Sequence, residues 1–213
     1  MDKRELTLGA EMFEHDNHDE LEDFLKGKIN EEDLDSLVRL WKNYKTDYKP
    51  LIELAKDNNI EFIATNIPRN YANMVYRNGF EALDSLPDSI KADIAPLPIR
   101  YDSTIKCYAD MLSVGAAAHG GSNLPKAQAV KDATIAHFIL QHFKKGNLFI
   151  HYNGAYHSDN YQGIVWHIKE SSSELNIVTV STVLQKDINK LEEKHLNKAD
   201  FIICVDSDMT TTY

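Results

Sequence analysis

Apolar positions along the chain switch repeatedly between a period of two and a period near 3.6, which predicts strands alternating with helices. Leu6-Thr-Leu-Gly-Ala-Glu-Met-Phe13 is a short apolar run and reads as a first strand. Leu21, Phe24 and Leu25 then fall at helical spacing, with Asp16 or Asn17 placed to cap them. A second helix starts at Asn30-Glu-Glu-Asp33 and carries Leu34, Leu37, Val38 and Leu40, its acidic first turn suiting the helix dipole. The aromatic, basic stretch from Trp41 to Tyr48 is expected to pack a helix pair together. Tyr48 to Lys56 reads as a helix with Pro50 in its first turn, and Ile60 to Thr65 as a buried strand. Pro68 opens a helix that runs through Met74 and Val75 and stops at Asn78-Gly79.

Leu83 to Arg100 holds Pro87, Pro96 and Pro98 among scattered acids and reads as an extended connection across the surface. It marks the edge of a small helical lobe expected within about 84–145 of a single domain spanning 1–213. Tyr101 to Gly121 returns to helix. Pro125 to Lys145 is the longest helical pattern, with Ala129, Ala133, Ile135, Ala136, Ile139 and Leu140 forming its stripe. Gln128 and Asp132, four apart, share a face bordering that stripe, whereas His137 and Gln141 share a solvated one. A strand from Leu148 breaks at Asn153-Gly154, and Ile164 to Ile168 suits helix or strand equally. Leu175 to Ser181 predicts a strand, Asp187 to Asn197 a charged helix, and Ala199 to Val205 a last strand. This order predicts an α/β fold: a mainly parallel sheet covered by helices on both faces, with a small helical lobe.

In such a fold, ligands bind in loops at the carboxyl ends of strands. The stretch from Leu148 to Gly163 carries His151, Tyr152, Asn153, Tyr156, His157, Asp159, Asn160 and Tyr161, more polar and aromatic groups than a turn requires. Glu11 stands near the end of the first strand, where a carboxylate is costly unless paired or ligand-bound; the plainer alternative is a Glu facing water. Asn66 and Arg69 follow the second strand. Arg69 can offer a forked donor to a ligand carboxylate or to Glu11, or simply brace the two loops. His119, near the end of its helix, is favoured when protonated and free to act as a ligand.

Composition narrows the partners. The 213 residues are 43% hydrophobic and 26% charged, ordinary for a globular protein. A net charge of −10 without clustered Lys or Arg argues against nucleic acid, though it leaves room for an anionic small ligand. Cys107 and Cys204, far apart in apolar surroundings, read as buried thiols. No apolar run reaches the length of a transmembrane segment, and Met1-Asp-Lys-Arg-Glu-Leu6 lacks the apolar core of a signal peptide.

Four stretches, in order, carry a family resemblance: Gly9-Ala-Glu-Met-Phe-Glu14; Tyr48-Lys-Pro-Leu51 with Asn66-Ile-Pro-Arg69; Ala127-Gln-Ala-Val-Lys-Asp-Ala-Thr-Ile-Ala136; and Asn153-Gly-Ala-Tyr-His157 with Tyr161-Gln-Gly-Ile164. They closely resemble the ChaN-like haem-binding uptake proteins of the Tiki superfamily, also called iron-regulated lipoproteins and distantly related to erythromycin esterases and Tiki proteases. No single stretch is specific; the ordered set is. The resemblance implies haem binding, dimers that enclose haem in some members, and a membrane-anchored lipoprotein or periplasmic location. By position, Glu11, Asn66, Arg69, Gln128, Asp132 and His157 match the family pattern, with Asn153 and Gly154 in the same turn. Two departures stand out. The first strand with its Gly-Glu-x-His loop and the lipoprotein signal are missing, which implies a shortened amino terminus. The usual Gly-Asn-Gly-His turn is here Asn153-Gly-Ala-Tyr-His157.

Two function classes follow. A haem protein would take its iron ligand from Tyr156, Tyr161, His157 or His119 and meet a propionate with Arg69. A hydrolase dependent on a divalent metal would use Glu11 and His157 as ligand or base, but a catalytic zinc site wants about three protein ligands. Haem binding is the favoured expectation.

Overall fold

The structure, a computed structural model, describes residues 4–117 and 122–212. Its central sheet holds β1 (Leu6–Glu14), β2 (Glu61–Asn66) and β3 (Leu148–Tyr152), all parallel, in the order β2-β1-β3. β1 takes the middle because Thr7 to Glu11 are all buried, as a parallel strand covered on both faces demands. Gly9 at its centre makes room for β3: a Cβ there would lie 2.9 Å from the Phe149 ring. The register of β1 on β2 shifts between Ala10 and Glu14, an irregularity at the edge where the polar groups gather.

One face is covered by α1 (His18–Leu25), α2 (Glu31–Leu37) and α3 (Lys49–Asp57), whose Leu21, Phe24, Leu34 and Ile52 pack on Leu8, Ala10 and Phe62. Asn30 caps α2 in a reciprocal box with Asp33. The aromatic stretch forms a π-helical segment, Tyr44–Tyr48, with Tyr44 buried in this layer. On the other face lie α4 (Arg69–Asn78), α6 (Lys106–Ala117), α7 (Leu124–His142) and α8 (Ile164–Ser171), with short α5 (Asp88–Lys91) before α6. α8 settles the ambiguous segment as helix.

Several expectations are corrected. Residues 83–100 do not run extended over the surface: Leu83, Ile94, Ala95 and Ile99 are buried with Val75, Val130 and Ala133 in a core of their own. Its apolar residues face inward without any period, which hides them from pattern reading. The helix expected from Tyr101 starts at Lys106, because Asp102 holds the Thr104 N–H and hydroxyl in a turn first. His119 lies outside the described residues. The cysteines are unpaired and half-buried rather than buried, and His137 is partly covered beside Phe138.

The last strands, β4 (Val180–Gln185) and β5 (Phe201–Asp206), form a separate parallel pair rather than extending the central sheet. Their ladder begins only at Val180, not at Leu175, and one face leaves Val180, Leu184, Phe201 and Ile203 exposed. The charged helix expected at 187–197 is irregular, with one 3-10 turn at Glu193–His195. Buried Gln185 donates to the carbonyls of Asp187 and Lys190 and accepts from the Glu192 N–H, so a side chain claims groups that a helix would use.

Candidate functional site

Three elements converge at the carboxyl edge of the central sheet. β1 delivers Glu11, the amino-terminal half of α7 delivers Gln128 and Asp132, and the turn after β3 delivers Gly154 and His157. Their side chains meet in one buried chain of charge. His157 is 5% exposed, Glu11 7% and Asp132 0%. The imidazole Nε2 lies 3.1 Å from Glu11 Oε1 and Nδ1 lies 2.5 Å from Asp132 Oδ1, so one ring bridges two carboxylates.

The electrostatics follow from that geometry. Burial opposes charge on His157, but the Asp132 and Glu11 carboxylates outweigh it and raise the imidazole from 6.5 to about 9. Burial likewise opposes charge on Glu11, yet His157 and the Gly154 N–H hold its carboxyl down at about 2. The site is therefore a carboxylate–imidazolium–carboxylate array at neutral pH, with both ring N–H groups donating. The Gln128 terminal amide packs over the imidazole, 2.9 and 3.1 Å from its two nitrogens, whose N–H groups point to the carboxylates instead.

Further bonds lock each member. The Gly154 N–H donates to Glu11 Oε2 at 2.8 Å, tying the turn after β3 to β1. The Tyr108 hydroxyl of α6 donates to Asp132 Oδ2 at 2.8 Å, and burial followed by the Asp132 charge pushes that phenol far above its ordinary range. Gly163 lets the chain pass over the array: it has φ +55°, and a Cβ there would lie 2.4 Å from the His157 carbonyl oxygen and 3.1 Å from Asp132 Oδ2. Asn66 donates to the Glu11 carbonyl at 2.8 Å, while its own Oδ1 is buried without a partner among the described residues.

A neutral histidine lies alongside. His151 of β3 donates from Nδ1 to Asn153 Oδ1 at 3.0 Å, and its Nε2 accepts from the Thr65 hydroxyl at 2.8 Å. Desolvation of the ring pushes it down to about 4, so it stays uncharged beside the cationic His157. Asn153 in turn donates to Ser158 Oγ at 3.0 Å and pins the turn internally.

The structure thus brings together Glu11, Asn66, Gln128, Asp132, Asn153, Gly154 and His157. It does not bring Arg69 to Glu11. The Arg69 side chain is exposed, and its backbone N–H donates at 2.9 Å to Glu14, whose carboxylate also pairs with Arg39 at 2.9 Å. The bulge explains the exchange, since it puts Glu14 opposite Asn66 at the start of α4. Tyr156, on the 3-10 turn Ala155–His157, is 76% exposed. Tyr161 is 42% exposed and donates to Asp200 at 3.2 Å.

Tyr108 and Thr65 were not expected at the site, because each sits inside an apolar stretch whose pattern explains it as core, whereas His151 belongs to the crowded stretch without having been assigned a role. Among the described residues no group of three or more His, Cys, Asp and Glu side chains is disposed to hold a metal ion. The cation between Glu11 and Asp132 is already supplied by His157. No described helix is long and apolar enough to cross a membrane.

Comparison with known proteins bears on what this edge is for. Among curated proteins none matches the chain. Among solved structures the chain is similar to one described as cofacial heme binding to ChaN of Campylobacter jejuni, at 18% identity and a TM-score of 0.63. That match covers 93% of this chain and 73% of the other, and it establishes the shared α/β fold. The family model for haem-binding uptake, Tiki superfamily, ChaN, matches residues 1–168, which include the whole carboxylate–imidazolium array. The chain belongs to the ChaN family of haem-binding uptake proteins in the Tiki superfamily.

Proposed function

We propose that this protein binds haem at the carboxyl edge of its central sheet, with Tyr156 as the axial ligand to iron. The observation that supports this choice is the contrast between neighbours on one turn. His157 is buried with both nitrogens committed to carboxylates, whereas the Tyr156 phenol stands 76% exposed beside it. Ferric iron accepts a tyrosinate, and an exposed phenol can reach it without breaking any bond of the fold. His151 has both ring nitrogens engaged, and Tyr161 is engaged with Asp200.

In this reading the buried array does not touch iron. It fixes the turn that presents Tyr156: Glu11 holds the Gly154 N–H and Asp132 holds His157, so the residues on both sides of Tyr156 are tethered. Exposed Arg69, after β2 on the same edge, is the candidate partner for a haem propionate. A haem held by a surface phenol leaves its second face open. Two loaded protomers meeting through those faces would form a dimer that depends on haem, in an uptake process responsive to iron supply.

A haemin titration followed by absorbance tests the reading, on wild type, Tyr156→Phe and His157→Ala. Saturable binding with a Soret shift lost in Tyr156→Phe, and only weakened in His157→Ala, is the expected result. A flat wild-type titration refutes haem binding; an unchanged Soret band in Tyr156→Phe refutes the ligand. Sedimentation with and without haemin checks the dimer.

A further inference from the structure

β2 is an edge strand of the central sheet, since the order β2-β1-β3 gives it one neighbour. Imidazoles occupy its other side. Ala64, at 0% exposure, has both backbone groups taken by them: His15 Nδ1 donates to its carbonyl at 2.7 Å, and its N–H donates to His18 Nδ1 at 3.4 Å. His15 opens the 3-10 turn His15–Asn17 that follows β1, and His18 is the first residue of α1. Two side chains three apart thus stand where the backbone of a further strand would pair, and they protect the edge without extending the sheet.

The two bonds set the tautomers, and with them the response to acid. His15 gives a proton to a carbonyl, which the neutral and the charged ring can both do. His18 receives one from an amide, which only a ring with a lone pair on Nδ1 can do; an imidazolium there would set N–H against N–H. The two rings lie parallel, 5.4 Å between centroids and 11° between planes, so a charge on one opposes a charge on the other.

Other groups face the pair from each neighbouring element. From α7, His142 crosses His18 at 5.9 Å, and Phe138 lies flat on His15 at 3.4 Å. His142 opposes charge on both rings and His137 on His15. From α1, Asp19 favours charge on both rings and Glu22 on His18. β2 offers the Ala64 carbonyl to His15, while its Glu61 lies 3.4 Å from His142 Nδ1. Burial is the largest influence on each ring and, with the neighbouring imidazoles, holds both below the ordinary 6.5.

We propose that the His15–His18 clasp on β2 is an acid-sensitive latch: protonation of His18 releases the Ala64 amide and frees the turn and the start of α1 from the strand, opening the edge of the sheet. The latch is closed above pH 6.5 and is lost as pH falls through the lowered value of His18. The residue before the turn is Glu14, which holds the Arg69 N–H and the Arg39 side chain, so acid loosens the carboxyl edge from the β2 side. Glu11 and His157 titrate at about 2 and about 9 and keep their charges throughout. The latch is independent of the haem reading, and its test needs no haemin.

Amide hydrogen exchange followed by NMR from pH 7.5 to 5.0, corrected for the intrinsic pH dependence of exchange, reads the latch directly. Protection of the Ala64 amide should fall at least tenfold across that range, while the amides that pair β1 with β2 and β3 change less than twofold. The His18 Cε1–H resonance should titrate with the same midpoint. His18→Asn places an amide oxygen where Nδ1 stands and cannot titrate, so protection of Ala64 should no longer depend on pH. His18→Ala removes the acceptor and should leave Ala64 poorly protected at every pH.

Constant protection of Ala64 in the wild-type protein overturns the proposal. An undiminished loss in His18→Asn assigns the acid response to other groups, and a loss shared by every amide of the sheet assigns it to global unfolding; either result overturns it too.

Discussion

Glu11→Gln isolates the charge at the centre of the site while keeping its shape. Glutamine is close in size and polarity to an uncharged glutamic acid, and its oxygen can still accept from the Gly154 N–H. The expected loss is therefore the free energy that separates ionised from neutral Glu11 in the folded protein. That carboxyl is held at about 2 against an ordinary 4.5. At about 1.4 kcal/mol for each tenfold change in the proton equilibrium, the variant should lose about 3 kcal/mol. The figure agrees with the cost of removing one partner from a buried ion pair, about 3–5 kcal/mol.

The pH dependence carries the sharper test. Glu11 is depressed on folding, so its contribution is present above pH 4.5 and lost as pH falls through about 2. His157 is raised, so its contribution is complete below pH 6.5 and lost as pH rises through about 9. Urea unfolding of wild type and variant, followed by circular dichroism from pH 2.5 to 9.5, should show the widest gap between pH 4.5 and 6.5 and a narrowing at both ends. A gap below 1 kcal/mol at pH 5.5, or one of constant size across the series, would refute the ion-pair account.

Other perturbations probe the supports of the same array. Gly163→Ala puts a Cβ 2.4 Å from the His157 carbonyl at a φ of +55°, and should cost at least about 3 kcal/mol in the same unfolding assay. Tyr108→Phe removes the 2.8 Å bond to Asp132 and should cost about 1.5–3 kcal/mol, with the His157 C–H resonances reporting a changed titration by NMR. Asn30→Ala opens the capping box of α2, far from the site, and should cost about 1 kcal/mol while leaving the haemin titration untouched.

Much of this protein is legible one residue at a time. The alternation of β1, β2 and β3 with amphipathic helices gives the parallel sheet, because each element must bury one face or both, and its sequence records which. The loop at 153–157 and the carboxylate at Glu11 announce themselves as polar groups in apolar surroundings. Gln128 and Asp132 reveal their shared face through a spacing of four.

What the sequence leaves open is whatever depends on partners distant along the chain. Whether Arg69 or His157 answers Glu11 is decided by the bulge in β1 and by α7, which crosses the sheet with Asp132 on the far side of the ring. Tyr108 and Thr65 look like core until their polar atoms find Asp132 and His151. Residues 83–100 bury apolar groups without any period, and the segment at 187–197 loses its helix to the amide of Gln185. Pattern reports the solvent preference of each residue along one element. The identity of a buried group's partner is a property of how elements cross, and only the packed structure holds it.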